Sequence, residues 1–342
     1  MHRARSGGDV NTHTVRFDHL LHMSDDIALF EHADGVDPAV RHAYCTDDNA
    51  RLLSLVLRVP GAPARLIDQA TEFVLSSVAA DGTVHNRMNG LGVFDDSSTN
   101  EDCWGRALGA LGFAAVHHPD IDVRMRCQSA FDRGCMQRSP WSRAMSFASL
   151  GGSEILTRWP EHQSAISLVA DAITVIGVPG SEPWCWPEPT LRYANATVAE
   201  AMIAGGAALG DRKALDRGLA MLSWLLALET RGNHLSLVGT RGRVPGEPGP
   251  QFDQQPIEAA AMADACWRAG LVTGDRSWDR GVELAASWFT GNNDTGAILA
   301  DDSSGGCCDG LHLRGVNGNQ GAESTLALWS TVQRNQSLLA TR

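Results

Sequence analysis

A chain of 342 residues with 43% hydrophobic content has material for a large core, built either as one closed helical ring or as two smaller domains. Its formal net charge of -12 excludes the dense Lys and Arg clusters that phosphate backbones and anionic membranes demand, and the basic pair Arg241 and Arg243 is too thin to supply one. No run approaches the roughly eighteen apolar residues of a membrane span, Met1 to Val15 is polar, and eight cysteines lack disulfide-scaffold spacing; a cytoplasmic protein with free thiols is expected.

In chain order, the first strongly patterned helical segment is 47–58, apolar nearly all round after a polar first turn. Amphipathic 63–79 follows, with Arg65, Asp68 and Glu72 opposite Leu66, Ile67 and Phe73. The alternation repeats as apolar 101–116 and amphipathic 120–135, apolar 140–150 and amphipathic 164–178, apolar 191–209 and amphipathic 211–229, apolar 254–270 and amphipathic 275–290, ending on apolar 319–332. A helix apolar on every side must be covered on every side, whereas an amphipathic one faces water. The pattern predicts an all-α (α/α)6 toroid in which inner helices are ringed by outer antiparallel partners, one domain over 1–342 with 1–14 as an N-terminal extension. The sixth outer member is either 15–31 or the tail after Thr331.

Long Gly-, Pro- and Asp-rich connections, 81–100, 178–190, 230–252 and 291–318, precede inner helices and so rise on one face of the ring, where binding residues are expected. Each polar cluster at an inner-helix start has an ordinary reading as a helix cap. Capping does not account for Arg51, Trp104, Arg106, Gln254, Gln255 and Gln320 just ahead of long apolar runs, because large buried polar groups need partners. Asp47 and Arg51, Asp102 and Arg106, and Gln254 and Glu258 are each four apart and are expected to pair along one helix face.

Breaking a glycosidic bond needs two carboxyl groups, one protonated and one charged. The starts of the inner helices and their loops offer Asp47, Asp48, Glu101, Asp102, Glu188, Glu258 and Glu323. Asp48 and Asp102 are the first acid/base candidates, with Asp47 and Glu101 beside them. Trp104, Trp184, Trp186 and Tyr193 are candidate platforms for sugar faces, with core or loop packing as their alternative role. Arg51, Arg106, Glu188, Asn195, Asp253, Gln254, Gln255, Glu258, Asn319, Gln320 and Glu323 complete the expected substrate-binding set. The run Gly305 to His312 contains Cys307, Cys308 and Asp309 but fits no zinc spacing, and is read as a structural loop; no metal and no cofactor is expected.

The stretches HLLHMSDDIALFEH (His19 to His32), HAYCTDDNAR (His42 to Arg51), EDCWGRAL (Glu101 to Leu108), WCWPEPTLRYANA (Trp184 to Ala196), FDQQPIEA (Phe252 to Ala259) and GVNGNQGAEST (Gly315 to Thr325) together resemble a bacterial family of the six-hairpin glycosidase superfamily. Its members occur alone or joined to glycosyltransferase domains, often beside mannoside-processing genes. The resemblance implies the α/α barrel and a carbohydrate role. One departure is Pro187, where the family pattern has an aromatic between Trp186 and Glu188.

The leading reading is a glycoside hydrolase acting on an oligosaccharide, with a mannoside as the suggested substrate. The second is a non-catalytic carbohydrate-binding or scaffold partner of a glycosyltransferase. A sugar epimerase, which in this barrel relies on inner-helix histidines, and a phosphorylase rank lower. The acidic pairs Asp25-Asp26 and Asp47-Asp48 prompt a terpene-cyclase reading, which the polar neighbours Asn49 and Arg51 oppose.

Overall fold

The computed structural model describes residues 14–340. In chain order its helices are α1 (Asp18–His22), α2 (Thr46–Val56), α3 (Ala64–Ser77), α4 (Asp102–His117), α5 (Ile121–Gly134) and α6 (Ser142–Arg158). They continue as α7 (Gln163–Ile176), α8 (Asn195–Leu209), α9 (Arg212–Glu229), α10 (Pro256–Thr273), α11 (Asp279–Trp288) and α12 (Ala322–Ala340). The even-numbered helices form a ring in which each packs on the next and α12 returns to α2. From α3 onward, each odd-numbered helix packs on the inner helix before it. This is the (α/α)6 barrel.

Composition explains the two roles. In α8 every residue from Asn195 to Gly206 is buried, and α10 is buried almost as continuously, so neither has a face left for water. In α3 the buried set Leu66, Ala70, Phe73, Val74 and Ser77 makes a single stripe. Inner helices α4 and α6 meet backbone to backbone: a Cβ on Gly105 would lie 2.2 Å from the Ala144 carbonyl oxygen, and one on Gly151 would lie 2.2 Å from that of Leu108. Only glycine permits that approach.

The sixth outer position goes to the segment 15–31, but as little more than the single short helix α1 packed on α12. The tail after Thr331 instead prolongs α12 to Ala340. Three inner helices start later than their sequence pattern suggests. Leu191 pairs with Arg243 and Gln254 with Leu311 in extended backbone, and Asn319 and Gln320 anchor α1 and neighbouring loops. The 275–290 segment opens as a 3-10 turn, Arg276–Trp278, before α11.

Side-chain caps occur on three outer helices, α5, α7 and α9, while outer α3 and α11 have none. Outer helices α5 and α9 carry Asp caps: Asp120 accepts the amides of Asp122 and Val123, and Asp211 those of Lys213 and Ala214. Inner helices α2, α4, α6, α8 and α10 have no side-chain cap of their own. Their first-turn polar groups are therefore free for other partners. The connections ahead of them carry short antiparallel pairings, such as Thr230–Arg231 with His234–Leu235 and Gly310–His312 with Gly315–Asn317, on the same end of the ring.

Candidate active site

At the start of α2, Asp48 is buried; its Oδ1 accepts Arg51 Nη1 at 2.5 Å and its Oδ2 accepts the Cys45 thiol at 3.1 Å. Burial raises its pKa to about 6, against the pull of Arg51. The second arm of Arg51 reaches Glu323 at 2.6 Å on α12. Asp47 lies 3.1 Å from Arg106 Nε on α4, and that guanidinium sits 3.9 Å over the Phe147 ring of α6. Asp102 accepts the Tyr193 hydroxyl at 2.6 Å.

Two of the expected pairs four residues apart are thus replaced by cross-helix ones. Arg51 bonds Asp48 and Glu323 rather than Asp47, and Arg106 pairs with Asp47 rather than Asp102. The inner helices stand side by side, so a long side chain aimed at the axis meets the neighbouring helix before its own next turn. The third pair fails for another reason. Gln254 precedes α10 and is fully buried, donating to Gln251 O at 2.9 Å and Asp294 Oδ2 at 2.7 Å while accepting from the Trp288 indole at 3.3 Å.

A second group assembles around α8. Glu258, buried in the first turn of α10, accepts the Ala194 amide at 2.5 Å and the Asn195 amide and side-chain nitrogen at 3.3 and 3.2 Å. It thereby caps α8 from the neighbouring helix. Ala194 adopts a left-handed conformation, φ 46°, which costs an L residue on the order of 1 kcal/mol and is held by this contact. Burial pushes the Glu258 carboxyl up to about 7, against the three donors.

Arg143 of α6 is fully engaged, binding Glu188 through both oxygens at 2.8 and 2.9 Å, Tyr193 O at 2.6 Å and Asn195 Oδ1 at 3.0 Å. It lies 5.0 Å under the Tyr193 ring. Glu188, despite Pro187 and Pro189, is placed by Arg143 and by the Ser142 hydroxyl at 2.7 Å.

The tryptophans divide otherwise than their sequence position suggests. Trp104 is wholly buried and its indole donates to Gly134 O at 3.1 Å; Trp186 is also buried, stacked on Trp224. Neither offers a face to a ligand. Trp184 is half-buried and donates to Glu188 O at 2.8 Å. The exposed aromatics of this region are Tyr193, 39% exposed, and Trp141, 60% exposed at the start of α6.

Sequence reasoning passed over Trp141 and Arg143 because this inner helix opens without an acidic cluster. Arg143 in an otherwise apolar helix was the available signal. Elsewhere, Asn319 accepts the Gly35 amide at 2.9 Å, and Gln320 donates to Asp301 at 2.9 Å, so both hold loops together. Asp253 pairs with His312 at 2.7 Å, and Glu101 is exposed ahead of α4. Asp25 is consumed by the Tyr44 hydroxyl at 2.5 Å and the Ile27 amide at 2.8 Å, leaving no diaspartate pair with Asp26.

Ligand atoms of Glu31, Cys45 and Asp48 come within 4.8 Å of one another. Asp48 accepts Arg51 and the Cys45 thiol, and Glu31 accepts Arg87. Cys307 is buried in the loop, where it accompanies the pairing of Ala300–Asp301 with Gly306–Cys307.

Two openings lie near these residues. A mouth of about 410 Å³ is lined by Arg192, Tyr193, Thr240, Arg241, Gln255 and Glu258, among others. A second cavity of about 200 Å³ follows the barrel axis from Arg51, Arg106 and Glu323 down to Arg58, Arg268 and Arg334. Asp47, Asp48 and Asp102 line neither.

No known family profile and no curated protein sequence matches the chain. Solved structures do match its fold. A sugar epimerase from a ruminal bacterium superposes with TM-score 0.68 at 11% identity, covering 93% of this chain and 95% of its own. An α-1,6-mannanase of Salegentibacter sp., an inactive variant lacking two consecutive aspartates and bound to α-1,6-mannotetrose, gives 0.61 at 12% identity, with 94% and 96% covered. The cellulase Cel9M of C. cellulolyticum with cellobiose gives 0.61 at 9% identity, with 91% and 88% covered. The chain thus shares the (α/α)6 barrel fold of these hydrolases and this epimerase, and the fold alone does not choose between them.

Proposed function

We propose that the chain is a carbohydrate-active enzyme, a glycoside hydrolase acting on an oligosaccharide, with Glu258 as proton donor and Asp102 as the second carboxylate. The observation that carries this reading is Tyr193, which shares the mouth with Glu258 and gives its hydroxyl to Asp102. Tyr193 thus ties Asp102 to the mouth that Glu258 lines, and a raised carboxyl near neutrality is the form of acid the reaction requires. Trp141 and Tyr193 supply the exposed ring faces, while Asp47, Asp48, Glu323, Arg51 and Arg106 form a charged wall that sets the floor. The mannanase neighbour and the family resemblance make manno-oligosaccharides the first substrates to try. That mannanase is inactive without its two adjacent aspartates, and the adjacent acids on this face are Asp47-Asp48 and Glu101-Asp102.

Incubation with manno-, gluco- and galacto-oligosaccharides in ¹⁸O-water tests the reading. Hydrolysis incorporates ¹⁸O into a shortened product, and Glu258→Gln and Asp102→Asn each abolish it. An unshortened product carrying solvent deuterium at C2 in heavy water would replace the hydrolase by an epimerase, the reading favoured by the ruminal epimerase's likeness. No histidine lines either opening among the described residues, which weighs against it. Binding without turnover would leave the non-catalytic partner of a glycosyltransferase.

A further inference from the structure

We propose that Arg192 and Arg241 form a binding site for an anionic oxygen group, phosphate or carboxylate, on the ligand that enters the mouth beside Glu258. Both arginines line that opening. Their convergence is built into the backbone. Leu191 and Arg243 exchange amide-to-carbonyl bonds of 2.8 and 2.9 Å, so Arg192 lies across from Gly242, the chain neighbour of Arg241. Gly242 makes the crossing possible: it sits at φ +76°, and a Cβ there would lie 2.4 Å from the Leu191 carbonyl oxygen. Thr240 is fastened from the other side by its amide bond to Asp253 O at 2.8 Å.

Arg243 itself is spent on this construction, donating to Glu247 O at 3.2 and 3.0 Å. Arg192 and Arg241 have no side-chain hydrogen bond or ion pair among the described residues. Every arginine lining the axial cavity, by contrast, is bound to a carboxylate: Arg51, Arg58, Arg106, Arg268 and Arg334. In a chain of net charge -12, two unpaired guanidinium groups sharing one concavity are an unspent recognition element. Their planar forks match phosphate and carboxylate oxygens. Glu258, the acid of the same opening, accepts the Ala194 and Asn195 amides and is pushed up to about 7 by burial, so it carries only part of a charge near neutrality.

What carries the anion rests on the carbohydrate reading; the arginine pair does not. Calorimetric titration of the full chain with mannose, mannose 6-phosphate, glucose, glucuronate and inorganic phosphate separates the two. The expected result is that the acidic sugars bind at least about tenfold tighter than their neutral counterparts, as one good charge-assisted contact allows. Arg192→Ala/Arg241→Ala removes that preference and leaves the neutral sugars unchanged, while Arg192→Lys/Arg241→Lys retains part of it. Inorganic phosphate binding with the same arginine dependence also supports the site and identifies a free anion as its source. Equal affinity for neutral and acidic sugars in every variant overturns the proposal but not the carbohydrate reading. Phosphate binding without any sugar binding keeps the site and sinks that reading. Wild-type protein that binds none of the probes overturns both.

Discussion

The two ends of the axial cavity are built from the same residue types and put to opposite use. At the far end, Asp264 binds Arg58 at 3.0 Å and Arg334 at 2.6 Å, and Arg268 binds Glu154 at 2.7 Å with Glu200 at 3.7 Å. With His117 on Glu154 at 3.2 Å, these contacts draw on the inner helices α4, α6, α8, α10 and α12 and on Arg58 just past α2. Nearly every group is satisfied within the protein. At the mouth end, Asp47 Oδ1 and Arg106 Nε face each other as an ion pair at 3.1 Å, and Arg51 Nε is buried without a hydrogen bond, as Arg268 Nε is in the far network. A buried polar group left unpaired costs free energy unless a ligand or water completes it. The far network thus clasps five inner helices together, whereas the mouth-end pairs tie α2 only to α4 and α12.

The largest expected effect separates the ends by function. Glu258→Gln removes the proton donor and turns an amide N–H toward the Ala194 or Asn195 donors, and is expected to lower kcat by about 10³-fold together with some loss in Tm, measured by product formation and thermal unfolding. Next, Asp264→Ala strips the partner from Arg58 and Arg334 and is expected to cost about 3–5 kcal/mol in urea unfolding, while the folded fraction keeps its kcat. Gly151→Ala, which forces α4 and α6 apart, follows at about 1–3 kcal/mol, read the same way.

The pH dependence of stability comes after these. Glu200 and Glu258 are both raised to about 7, so between the unfolded carboxyl range near 4.5 and pH 7 the folded state holds protons the unfolded state has lost. Their contribution therefore falls as pH rises through that window and levels above it. Glu258→Gln removes part of the fall, and a slope identical in variant and wild type would contradict the placement. The smallest effect is Ala194→Gly, expected to change stability by no more than about 1 kcal/mol because relief of the left-handed strain offsets the added unfolded-state freedom.

The barrel was readable because its two helix classes differ in how many faces they bury, a property written in residue pattern. The end of the ring that carries Tyr193, Glu258 and Asp102 was equally readable, since the long connections all precede inner helices. What was not readable is which acids open onto space. Asp48 sits in the same polar cluster as Asp47, yet faces Cys45 and Arg51 behind the wall, and Trp104 points outward to α5 although its neighbours Asp102 and Arg106 do not. Helix phase to within a fraction of a turn decides such cases, and neighbouring helices set it. The far clasp escaped notice for a different reason: its arginines and acids come singly from separate helices, and no local motif announces them.

The most direct test of the contrast compares Glu258→Gln and Asp264→Asn side by side for turnover of manno-oligosaccharides and for Tm. The account predicts that Glu258→Gln turns nothing over even below its melting temperature, where it is fully folded, whereas Asp264→Asn melts several degrees lower than the wild type and retains turnover while folded. Full activity in Glu258→Gln, or loss of activity in a fully folded Asp264→Asn, would place the chemistry at the wrong end of the barrel and contradict it.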